Sequence, residues 1–193
     1  TDGSTPKAGG TASKYAGEFI IDKDTVLRAA AFASGRQVSK VETLALHRIT
    51  DSEWTDRLFV RKLAAKGSTD PYDAIDEGLQ RGVLAYADGS GETITELPDS
   101  IAGATLVRTH PKDARIRDNE FLSFEINLPA NLYVAYDAKA APPIWLKGGF
   151  ARIGGSVVTS RGNRFDVYQR SASAGRVTLG GNHGGGEKSG AMY

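Results

Sequence analysis

Residues 122–128 read Leu-Ser-Phe-Glu-Ile-Asn-Leu, and this run constrains the fold more than any other part of the chain. Side chains alternate between the two faces of an extended strand, so Leu122, Phe124, Ile126 and Leu128 share one face. Ser123, Glu125 and Asn127 occupy the other. A strand that is apolar on one side and polar on the other needs a second layer against its apolar side. Pro129-Ala130-Asn131 reads as a turn, and Leu132, Val134 and Tyr136 continue the alternation on a return strand. Shorter strands are expected at Val157-Val158, Phe165 to Tyr168 and Arg176 to Leu179. The Gly-rich loop from Gly180 to Gly186 then leads to Tyr193.

The other regions extend this reading. Glu18 to Ile21 is a short strand, and Thr25 to Ala33 alternates until Ser34-Gly35-Arg36 breaks the run. The pattern resumes from Val41 to Ile49, with Leu44 and Leu46 on one side. Glycine supplies 23 of the 193 residues, against a usual share of ~7%. That excess favours turns, and so many short strands. The expected fold is mainly β: two small antiparallel β-sandwich domains, residues 1–49 and 92–193, the second jelly-roll-like. Residues 50–91 form a helical or irregular connector. Asp51 or Ser52 suits a helix N-cap, Trp54, Leu58, Phe59 and Leu63 follow at helical spacing, and Gly67 ends the run. Leu58 to Leu63 serves equally well as a strand. Asp70-Pro71 reads as a second helix start, with Ile75 and Leu79 on its apolar edge.

Several strings in the first block resemble a known family. They are Thr1-Asp2-Gly3-Ser4-Thr5-Pro6, Tyr15-Ala16-Gly17, the run from Thr25 to Ala31, and Val38-Ser39. Together they resemble the C-terminal module of chitobiases and β-hexosaminidases, and the related fibronectin type III-associated repeats of secreted bacterial proteins. The resemblance covers about 50 residues and implies a small, non-catalytic β-sandwich attached to a carbohydrate-active or cell-surface protein. In the third block the strings include Leu97-Pro98-Asp99, Ala102-Gly103-Ala104, Trp145-Leu146 and Gly180-Gly181-Asn182. These resemble a β-sandwich region of large secreted, planctomycete-like bacterial proteins. Both families carry a strand that this chain lacks, one before Thr1 and one after Tyr193, so the resemblance implies a piece of a longer polypeptide. Open edges there would pair with neighbouring strands.

Composition removes other classes. With 24 basic and 23 acidic residues the formal charge is +1, which argues against a nucleic-acid surface. Cysteine is absent, so no disulfide, thiolate metal site or cysteine nucleophile is available. No run approaches the roughly 18 apolar residues of a membrane-spanning helix, and no signal-peptide pattern opens the chain.

Few residues suggest chemistry. His47, His110 and His183 are too far apart for a local metal motif and read as surface or loop histidines. Gly-x-Ser-x-Gly does not occur, and the 180–186 loop lacks the Gly-Lys-Ser/Thr ending of a phosphate loop. Asp113, Asp118 and Glu120 with Arg115 and Arg117 read as a solvated, ion-paired loop. Asp22-Lys23-Asp24 and the 88–92 turn carry oxygens suited to a structural calcium, although a plain turn explains them better. The candidate ligand-binding residues are Trp145, Trp54 and Tyr72, because aromatic faces stack on pyranose rings. Trp145 follows Pro142-Pro143 and reads either as a rigidly presented sugar contact or, with Leu146, as a plug in the sandwich, the second being favoured. The functional expectation is a non-enzymatic, secreted or surface segment that assists polysaccharide binding without a cofactor. The alternative is a spacer, surface-layer or filament subunit that forms homo-oligomers by edge-strand pairing. A small hydrolase is a distant third.

Overall fold

The computed structural model describes residues 5–7, 24–46, 57–70, 72–183 and 193. The chain divides into two units, Thr1–Glu53 and Trp54–Tyr193. Its described part is mainly β and antiparallel, in sheets that form a sandwich.

In the first unit, β1 (Thr25–Ala29) pairs with β4 (Glu42–Leu46), Leu27 standing opposite Leu44. Between them β2 (Phe32–Ala33) and β3 (Arg36–Gln37) form a hairpin. Its two-residue turn, Ser34-Gly35, has positive φ at both positions (49° and 75°). That is the primed geometry whose twist matches the strands it joins. The expected strand at 18–21 lies outside the described residues.

The second unit begins with β5 (Val60–Ala65), β6 (Asp73–Ile75), β7 (Ile94–Glu96) and β8 (Leu106–Arg108). It continues through β9 (Leu122–Ile126), β10 (Ala130–Asp137), β11 (Ala151–Thr159), β12 (Arg164–Ala172) and β13 (Gly175–Leu179). One helix, α1 (Ile144–Gly149), separates β10 from β11. The sheets have the orders β13-β9-β5, β10-β12-β11-β7 and β6-β8.

Two helical expectations give way here. Residues 60–65 form the strand β5, because Val60 and Arg61 pair with Ile126 and Glu125, and Ala64 and Ala65 with Ser123 and Leu122. A bulge between the two pairs places Lys62 at φ 52°, so that both Arg61 and Lys62 reach the Glu125 carboxylate. Residues 73–75 form β6 rather than the first turns of a helix, since Asp73 pairs with Arg108 in backbone register and through its carboxylate. Helical spacing in the sequence is a local signal, and cross-strand partners outweigh it at both places.

The 122–128 alternation appears as expected through Ile126. Leu122, Phe124 and Ile126 are buried, and Ser123 and Glu125 are half-buried. Leu128 lies beyond the strand and is only half-buried. Asn127 turns back instead, accepting from the Phe59 N–H (2.7 Å) and donating to the Arg57 carbonyl (2.7 Å). The strand after the turn does not return beside β9. It joins the other sheet and pairs with β12, which is what makes a sandwich rather than a hairpin.

Two cores result. The first joins Leu122, Phe124 and Ile126 of β9 and Val177 and Leu179 of β13 to Val134, Tyr136 and Tyr168 of the four-stranded sheet. The second collects Phe165 and Val167 of β12, Val157, Ile94, Leu79, Leu97 and Ile101. The four-stranded sheet is therefore apolar on both faces.

Candidate functional site

Trp145 sits in the first turn of α1, after Pro143, whose fixed φ of −63° suits a helix entry. Its indole N–H donates to the Gly181 carbonyl at 3.0 Å. The ring meets Phe150 and Tyr193 edge-on, at centroid distances of 5.9 and 5.7 Å. A Cβ at Gly180 would lie 2.4 Å from the ring, and one at Gly181 would lie 2.4 Å from the Ile116 carbonyl oxygen. Glycine at 180 lets the chain close over the indole, and glycine at 181 lets it pass the Ile116 backbone. The ring is half-buried against the first core and its one polar atom is occupied. In the same corner Asn182 is fully buried, its side-chain amide donating to the Ala114 carbonyl at 3.1 Å, while its backbone carbonyl accepts from the Tyr136 hydroxyl at 3.0 Å.

Tyr72 is half-buried as well. Its hydroxyl donates to Asp113 (2.8 Å), and its ring lies 5.5 Å from His110 and 6.1 Å from Phe121. Burial first, and the neighbouring Asp113 carboxylate second, push its pKa far above the ordinary tyrosine value. Asp70 lies 4.0 Å from His110 Nδ1 and accepts from Lys112 at 3.1 Å. The structure thus brings Tyr72 together with an acid-base cluster but leaves its ring packed between other rings. Trp54 and His47 lie outside the described residues.

His110 and His183 are not surface residues; both are buried. His110 packs on Tyr72, and the backbone of His183 bonds the Ile116 carbonyl at 2.9 Å. Among the acidic loop residues, Asp118 pairs with Lys66 at 2.7 Å and accepts from the Glu120 N–H, and Asp113 accepts from the Tyr72 hydroxyl.

Among the described residues the most deeply buried carboxylate is Glu92, which the sequence placed in a turn with oxygens suited to calcium and which the structure gives protein partners instead. Glu92 is 4% exposed. It accepts from the Thr159 hydroxyl and, at 2.9 Å, from Asn163, with Arg161 at 3.6 Å. These contacts tie the 88–92 turn to the β11–β12 connection. Asp88 accepts from the Ser90 N–H (3.0 Å), the ordinary function of Asp in such a turn. The long separation between Glu92 and its partners is why the sequence showed the turn and not the cluster. Among the described residues no group of three or more His, Asp or Glu is placed to hold a metal ion, and no helix is long and apolar enough to cross a membrane.

No family model and no curated protein matches the chain. In fold it is similar to a solved β-glucuronidase from glycoside hydrolase family 2, with a TM-score of 0.61 and 19% identity. The likeness covers 88% of this chain and 20% of that one. At that identity it is a likeness of fold.

Proposed function

We propose that this chain is a non-catalytic β-sandwich segment of a secreted or surface-exposed carbohydrate-active protein, where it supports polysaccharide binding. The observation that carries the reading is the fold shared with part of a β-glucuronidase, over nearly the whole of this chain. The first-block resemblance to modules of chitobiases and β-hexosaminidases points to the same setting.

A structural role is the second reading. It draws on the inward engagement of Trp145 and Tyr72, the aromatic residues best suited to a sugar platform. On this reading the segment acts as a spacer that holds other domains in place. Retention on insoluble chitin, cellulose and xylan, together with assays on p-nitrophenyl glycosides, tests both. Retention without turnover is the expected result. Turnover that survives repurification overturns the non-catalytic reading, and failure on every polysaccharide leaves the structural role as the better account.

A further inference from the structure

The helix α1 ends on two exposed glycines, Gly148 and Gly149, that the described fold does not require. Neither has a positive φ, so neither makes the left-handed turn for which glycine so often ends a helix. A Cβ at Gly148 would meet no described atom within 4 Å, and one at Gly149 would meet only Arg170, 3.7 Å from its Nη1. Glycine is less favourable than alanine in a helix. At 180 and 181 a described neighbour accounts for the glycine. At 148 and 149 the remaining physical reason for bare backbone is the close approach of a ligand.

Arg170 of β12 stands beside them. It shares a strand face with Tyr168, which packs in the first core, so its stem leaves along the border of that core. Its guanidinium carbon lies over the Phe150 ring, 4.6 Å from the centroid. Neither a carboxylate nor a carbonyl among the described residues bonds this guanidinium, whereas Arg152, across from Tyr168 on β11, is paired with Asp166 at 2.7 Å. The ring fixes the position of the Arg170 charge and leaves its N–H donors for another acceptor. At the same end of α1 the Leu146 carbonyl accepts from the Phe150 N–H at 3.0 Å, while the carbonyls after it have no partner within the helix.

We propose that Arg170 and the backbone at 148–149 bind a carboxylated sugar, a uronic acid residue of an acidic polysaccharide. A planar guanidinium takes a carboxylate through two parallel N–H···O bonds. The sugar hydroxyls supply the donors that the carbonyls at the end of α1 can accept, and the glycines let a pyranose ring lie directly on the backbone. A simple phosphate or sulfate ion satisfies Arg170 but brings no hydroxyl, and the negative end of the helix opposes it. The inference rests on the carbohydrate reading above and deepens it by naming the class of sugar.

The test is affinity electrophoresis of the whole chain in polygalacturonate, with carboxyl-reduced polygalacturonate, dextran sulfate and polyglutamate as comparisons. The expected result is saturable retardation by polygalacturonate and at least ~10-fold weaker retardation by its reduced form. Arg170→Gln should weaken binding by a similar factor with an unchanged melt, and Arg170→Lys, which keeps the charge without the fork, by a smaller one. Gly149→Leu covers the bare backbone and should also weaken binding, while Gly148→Ala should keep or raise the melting temperature. The proposal fails if polygalacturonate is not retained, if Arg170→Gln and Gly149→Leu leave its binding unchanged, or if Gly148→Ala destabilises the chain. If Arg170→Gln disturbs the melt, Arg170→Lys decides, and binding equal to that of the parent overturns the bidentate contact. Dextran sulfate or polyglutamate binding as tightly as polygalacturonate would mark a general anion surface or a peptide site and overturn the sugar assignment. Retention by the reduced polymer that is independent of Arg170 would overturn this site and leave the carbohydrate reading standing. No retention by any polysaccharide, acidic or neutral, would overturn both.

Discussion

The Trp145 corner and the cavity lined by β8 and β10 lie in the same unit, yet they are packed in opposite ways. At the corner, glycine at 180 lies against the indole and glycine at 181 against the Ile116 backbone, leaving no room for a single added carbon at either. At the cavity, Leu, Val and Ala side chains surround about 190 Å³ of space. Protein interiors are normally filled to crystal-like density, so the corner is ordinary core and the cavity is the exception. The difference shows how to separate structural from functional aromatic and apolar groups in this fold. A side chain whose polar atom is bonded and whose neighbours are glycines chosen for contact is holding the structure together. A cavity walled by apolar side chains is space that the described residues leave unfilled.

The largest effect that sharpens this contrast is expected at the corner. Trp145→Ala should cost about 3–5 kcal/mol in chemical denaturation, through lost contact with Phe150 and Tyr193 and a lost bond to Gly181. A near-unchanged melt combined with lost polysaccharide retention would instead make Trp145 a sugar platform. Next comes Gly181→Ala, which drives a Cβ into the Ile116 backbone, where the obstacle is not the movable end of a side chain. A cost of about 1–3 kcal/mol is expected, and a neutral result would show that the corner is looser than its geometry implies.

Alkaline pH should act on the tyrosines near both regions. Burial is the leading cause that raises the pKa values of Tyr72, Tyr86 and Tyr193 in the folded chain. The unfolded chain ionises its tyrosines from about pH 10, while the folded chain still holds these protons. Their stabilising contribution is therefore complete below that pH and shrinks as pH rises above it. Melting temperature should fall over that range together with delayed appearance of tyrosinate absorbance. Tyr72→Phe should cost ~1 kcal/mol at neutral pH for the bond to Asp113, and should flatten the alkaline decline. The smallest effect is predicted at the cavity. Ala135→Leu adds three carbons yet should be neutral or stabilise the free chain by about 0.5–2 kcal/mol, as cavity-filling changes do. A cost like that of Gly181→Ala would erase the contrast between the two regions.

Much of this architecture could be read from the chain. The alternation at 122–126 located β9 and its buried face, and the Val134 and Tyr136 positions followed from the same rule. Trp145 with Leu146 could be read as a plug, which is where the structure puts them. Other features depend on partners far away in sequence. The strand at 60–65 has helical spacing, and only its pairing with β9 decides the matter. Glu92 looks like one more turn carboxylate until Thr159 and Asn163 fold against it. His110 and His183 carry no local mark of burial, because the groups that cover them come from other segments. The cavity is the least legible feature: it depends on how strands far apart in sequence meet, and no residue pattern within β8 or β10 records that.

Xenon binding followed by methyl NMR tests the contrast most directly, because xenon enters apolar space that water leaves empty. The account predicts saturable shifts at the methyl groups of Leu132, Val134 and Val157, which line the cavity, and none at Leu146, which is fully buried next to Trp145. Equal shifts at Leu146, or none at the three cavity residues, would mean that the two regions are filled alike, and the distinction drawn between the cavity and the Trp145 corner would be wrong.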